Sequence, residues 1–160
     1  MEFLAANWGN LASVFGFAIS IATLWVAQKA EEAARGARDA ARQRTLVEEL
    51  QEAMAKAEQV GVFLSLARWE IVWLRAQEIV SASSTVRSRW EDRLSEGSQA
   101  NLLVVRQLSQ TMAVAALEAM TASPSPLQIN HMATAHGRIL ELLAAEVGRV
   151  LASSERGVSK

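Results

Sequence analysis

His131 and His136 are the only histidines in the chain, and imidazole is the side chain best suited to moving protons or holding a metal near neutral pH. Five positions apart on a helix they project ~140° from one another, so one helix cannot aim both at a single ion. No Cys is present to complete a ligand set. His136 falls on an apolar stripe, where a histidine packs with one hydrogen-bond partner. Carboxylates come as sequence neighbours, Glu31 with Glu32, Glu48 with Glu49, and Glu91 with Asp92. Neighbours on a helix face different directions, so none of these pairs forms an acid/base couple across a reacting bond. Phosphate-binding glycine loops, a GxSxG elbow, HExxH and the EF-hand loop are absent from the sequence. These residues predict no catalytic, metal or cofactor site, and a protein that is not an enzyme.

The groups that remain are suited to contact rather than reaction. Arg68, Trp69, Trp73 and Arg75 form a guanidinium and indole surface fit for an anion or a protein partner. Pairing of those arginines with Glu70 or Glu78 is the alternative. Gly9, Ser13, Gly16, Ser20, Thr23 and Ala27 recur by four and three, and Ala30, Ala34, Ala37 and Ala41 continue the stripe. In lipid, small side chains let backbones approach closely and hydroxyls bond across an interface, so the stripe predicts a homo-oligomer. Its period suits a left-handed coil. The polar edge of Ser13, Ser20 and Thr23 could instead line a narrow pore. Arg35, Arg38, Arg42 and Arg44 make a basic cluster suited to membrane lipid headgroups, diluted by Glu31, Glu32 and Asp39.

The element that must carry the stripe is the charge-free stretch between Glu2 and Lys29, which contains the 20-residue apolar run Trp8 to Ala27. Twenty helical residues rise ~30 Å, the thickness of a bilayer's hydrocarbon core. A cleavable signal would carry Lys or Arg ahead of a shorter apolar core, so residues 1–28 read as an uncleaved transmembrane anchor. Lys29 and the arginines follow the run and none precede it, which places the amino terminus outside and the carboxyl-terminal domain in the cytoplasm of an inner-membrane protein. Trp8 and Trp25 stand ~25 Å apart along a helix, as an aromatic belt at both membrane interfaces requires.

Hydrophobic residues make up 51% of the chain, with two Pro and no Cys or Tyr. This is helix vocabulary and predicts an all-α protein. A net charge of −1 gives no bulk attraction for nucleic acid. Residues 29–45 read as a charged juxtamembrane helix. From there Leu46, Leu50, Ala53, Ala57, Val60, Leu64, Ala67, Ile71 and Leu74 form a heptad seam, predicting one helix to Val80. A second span over Phe63 to Leu74 is excluded by Arg68, Glu70 and Arg75. Ser81 to Ser84 reads as a turn, with Thr85 capping a short helix through Leu94 that Glu96, Gly97 and Ser98 end. Asn101 to Ala122 forms another helix with Leu102, Val105, Met112, Ala116 and Ala119 on one face. The SPSP stretch at 123–126 breaks the chain. The last helix runs from Leu127 to Ser153, its stripe being Ile129, Met132, His136, Ile139, Leu143 and Val150, and 155–160 is a polar tail.

The expected architecture is an anchor helix continuing into a cytoplasmic bundle of about four helices over residues 46–154. This layout resembles small bacterial membrane effectors whose anchor precedes a bundle of the HEPN type. That family's Arg-x4-6-His motif is missing, since no Arg stands at the required distance before either histidine, which argues against a ribonuclease. The expected function is a membrane-anchored protein that self-associates or binds a cytoplasmic protein partner. An oligomeric membrane-disrupting effector triggered through its bundle is the second reading.

Overall fold

The computed structural model describes the backbone of Glu2–Val158 and the side chains of residues 16, 17 and 19–153. Four helices account for it, with no strand among the described residues: α1 (Glu2–Ser65), α2 (Trp69–Arg89), α3 (Glu96–Thr121) and α4 (Pro126–Val158). The chain is all-α. It divides into two compact units, Met1–Arg42 and Gln43–Lys160. Among the described residues no helix is long and apolar enough to cross a membrane. The predicted run Trp8 to Ala27 lies partly outside them, since residues 8–15 have no described side chains.

The second unit is an up-and-down helical bundle. Gln43 Nε2 donates to the Val150 carbonyl and His136 Nε2 meets the Ala57 carbonyl, both at 2.9 Å, so α1 and α4 run antiparallel in a constant register. Asn101 Nδ2 donates to Glu146 Oε1 at 2.7 Å and Arg149 approaches Ser98 Oγ at 3.4 Å, which fixes α3 and α4 the same way. Glu49 of α1 takes hydrogen bonds from Arg89 and, at 2.9 Å, from Trp90 Nε1 at the end of α2. The seam residues Leu46, Leu50, Ala53, Ala57 and Val60 are buried against α2, α3 and α4 in one core. Leu102, Val105, Met112, Ala116 and Ala119 are buried from α3, and Met132, Ile139, Leu143 and Val150 from α4.

The predicted continuous helix to Val80 is broken after Ser65. Ala67 adopts φ 51, its N–H bonds the Leu64 carbonyl at 3.2 Å, and the Arg68 N–H bonds the Phe63 carbonyl at 3.0 Å. This paired pattern is a Schellman motif, which ends a helix by turning one residue left-handed. The turn reverses the chain and moves the seam: Val72, Ala76 and Ile79 are buried in α2, while Leu74 is exposed.

The predicted turn at Ser81 to Ser84 is helical. Ser83 and Ser84 hydroxyls donate to the Ile79 and Val80 carbonyls at 2.7 and 2.8 Å, so these residues satisfy themselves within α2. Thr85 accordingly lies inside α2 and starts nothing. The reversal comes at 90–95 instead, where Ser95 Oγ accepts the Ser98 N–H and caps α3, which begins at Glu96 rather than Asn101. The break at SPSP is present, and its end is organised. Ser125 Oγ accepts the Gln128 N–H at 3.2 Å while Gln128 Oε1 accepts the Ser125 N–H at 2.8 Å, a reciprocal capping box with Pro126 in the first helical position. α4 continues to Val158, so the predicted tail at 155–160 begins as helix.

A left-handed Ala67 suffers the Cβ clash that Gly escapes. Ala67→Gly is expected to raise stability by ~1 kcal/mol, read as a higher denaturant midpoint with an unchanged slope.

Candidate functional surfaces

In the first unit the large apolar side chains described are uncovered. Phe17, Ile19, Ile21, Leu24, Trp25 and Val26 are 52–69% exposed, and at ~100° per residue they leave one sector of roughly 140°, which Gly16, Ser20, Thr23 and Ala27 occupy. The hydroxyls on that small-residue sector bond within the helix. Ser20 Oγ donates to the Gly16 carbonyl and Thr23 Oγ1 to the Ile19 carbonyl, both at 2.8 Å, so neither proton needs water. Where the apolar run stops, Lys29 Nζ lies 4.2 Å from the centroid of the Trp25 ring, a cation–π contact. Gly16 has open space around the position a Cβ would take, and Ala27 is exposed. Trp8, Gly9 and Ser13, predicted on the belt and the small-residue stripe, lie outside the described side chains.

In the predicted basic cluster Arg35 pairs with Glu31, and Arg44 with Glu48 at 2.9 Å, while Arg38 and Arg42 are exposed. Exposed pairs of this kind contribute little stability. The residues of the predicted guanidinium and indole surface differ in their surroundings. Arg75 NH1 binds Glu78 Oε2 at 2.7 Å with its Nε buried and unpartnered. Arg68 is exposed at the α1–α2 turn and forms no ion pair among the described residues, and Trp69 and Trp73 are half-buried against the core.

Sequence reading missed the polar groups held inside the bundle. Glu146 is fully buried. Its Oε1 accepts from Asn101 and Arg149, and its Oε2 has no partner. Its position on the inward stripe, one turn from both Leu142 and Val150, was the available signal. His136 is held as a packed histidine: the Ala57 carbonyl can only accept, so Nε2 carries the proton. Gly61 makes room for it, since a Cβ there would stand 2.7 Å from His136 Cε1. His131 is exposed on α4, so the histidines are not brought together.

A cleft of about 310 Å³ between α1 and α2 is lined by Glu49, Glu52, Lys56, Glu78, Ser81 and Thr85 among others. The hydrogen bond from Lys56 and its positive charge hold the Glu52 carboxyl below the ordinary carboxylate range. The cleft has neither a histidine nor an activated nucleophile. Among the described residues no group of three or more His, Asp or Glu is placed to hold a metal ion. Comparison with protein-family models, with curated proteins and with solved structures gives no match.

Gly61→Ala is expected to cost ~1–2 kcal/mol by displacing the His136 ring from the Ala57 carbonyl. The cost should shrink in a His136→Ala background, measured as a double-mutant cycle. Asn101→Ala leaves the buried carboxylate with one partner fewer and is expected to destabilise by ~1–3 kcal/mol in equilibrium unfolding.

Proposed function

We propose that this chain is a single-pass, membrane-anchored, non-enzymatic helical protein of the inner membrane. Residues 1–28 form the anchor, the amino terminus is outside, and the bundle works in the cytoplasm by self-association or by holding a protein partner. The observation that supports this reading is the exposure of six large apolar side chains between Phe17 and Val26, ended by the Lys29 ammonium against Trp25. Water would be a poor solvent for such a surface. In lipid, Trp25 sits at headgroup level and Lys29 reaches out of the hydrocarbon along its ring. The sequence completes the length of a span with residues 8–15, which carry no charge.

The sector of Gly16, Ser20, Thr23 and Ala27, which holds no large side chain, supports self-association of anchors packed closely along it. Glu146 and His136, the inward carboxylate and histidine of the bundle, are committed to packing, which supports a contact function over catalysis. The bundle then offers its surface to whatever it binds.

The full chain should remain in the membrane pellet after alkaline extraction. Phe17→Arg places a charge at mid-run, where it costs ~2.5–3.5 kcal/mol, and should shift the chain markedly toward the supernatant. Release of the unaltered chain by alkaline washing would remove the proposal.

A further inference from the structure

Exposed apolar side chains are distributed unevenly over the second unit. Val62, Leu66, Leu74, Val114, Leu117 and Leu127 are 46–64% exposed, and all six belong to the end of the bundle where the α1–α2 and α3–α4 turns lie. The register that sets Ala57 beside His136 brings Leu66 level with Leu127, and the register that sets Asn101 beside Glu146 brings Met120 to the same level. Over the rest of the bundle the large exposed apolar residues, among those described, are Val104 and Leu151.

Charge is depleted at the same end. No Asp, Glu, Lys or Arg occurs over 59–67, 107–117 or 119–137. The charges left there are the Arg75–Glu78 pair and four groups that form no ion pair among the described residues: Glu58, Arg68, Glu70 and Glu118. A polar turn has no need of such a surface, and a lone cation beside three acids is a poor fit for an anionic bilayer.

We infer that this end of the bundle is an isologous contact surface for a second copy of the chain. Two observations select that occupant. The six side chains expose on the order of 600 Å², the lower bound of what each partner contributes to a standard interface. The unpaired charges are also of both signs, so about a two-fold axis Arg68 of each copy can meet Glu70 or Glu118 of the other while the leucines close the centre. The contact is separate from the anchor stripe and does not depend on it.

Absence of Cys from the chain makes the test direct. Full-length chains in native membranes would carry one cysteine each, at Leu127→Cys in the surface or at Gln51→Cys as an exposed control remote from it, and would be exposed to a mild oxidant. The Leu127→Cys chain is expected to form disulfide dimers at least tenfold faster than the control. Adding Gly16→Leu with Ser20→Leu to disable the anchor stripe should leave that ratio intact. Arg68→Glu should reduce it, and Glu70→Arg with Glu118→Arg in the same chain should restore it, which a merely sticky apolar end would not do. Equal rates for the two cysteines would overturn the inference. So would a Leu127→Cys thiol shielded from maleimide but not crosslinked, since lipid or a different protein would then be the occupant.

Discussion

The bundle depends on how closely α1 can approach α4. Ala53, Ala57 and Gly61 present a groove of small residues, and the His136 ring fills its end with a hydrogen bond to the Ala57 carbonyl. That approach lets Leu46, Leu50 and Val60 reach a core shared with Ile139, Leu143 and Val150. Each such side chain, fully buried, contributes ~1.5–3 kcal/mol. A larger residue at the groove would hold the helices apart, and the first and last parts of the bundle would lose their common interior.

In and beside that interior the polar side chains pair with one another. Glu49 ties α1 to the end of α2, Glu146 ties α4 to Asn101 of α3, and Arg75 is paired along its own helix. None is left aimed into a cavity with a second reactive group beside it. The unsatisfied surface of the molecule is apolar: the belt from Phe17 to Val26 and the turn end of the bundle. One buried acid in structural use and apolar patches left uncovered are the features on which the proposal of association rests.

The helical faces were legible because period and burial agree. Leu102, Val105, Met112, Ala116 and Ala119 could be read off α3, and the small residues of α1 gave its seam as far as Val60. The turn at Ala67 was not legible, since no Gly or Pro marks it and alanine is the best helix former; tertiary packing imposed a left-handed residue against its propensity. Ser81 to Ser84 failed in the opposite sense: serines that favour turns when hydrated stay helical when their hydroxyls bond the preceding turn. The capping box at Ser125 and Gln128 was present in the sequence and went unread. Of the contact residues, Trp25 and Lys29 gain their meaning from a stacking distance that spacing alone does not give, and Arg68 and Arg75 resemble each other in sequence while only one is paired.

The register of α1 against α4 has a consequence for biosynthesis. The seam from Leu46 to Val60 leaves the ribosome long before Met132 to Val150, yet those are the residues that cover it. Until the final helix emerges, a nascent chain carries an apolar stripe with one side open, and contacts this distant in sequence form late. Holdase chaperones would guard the interval.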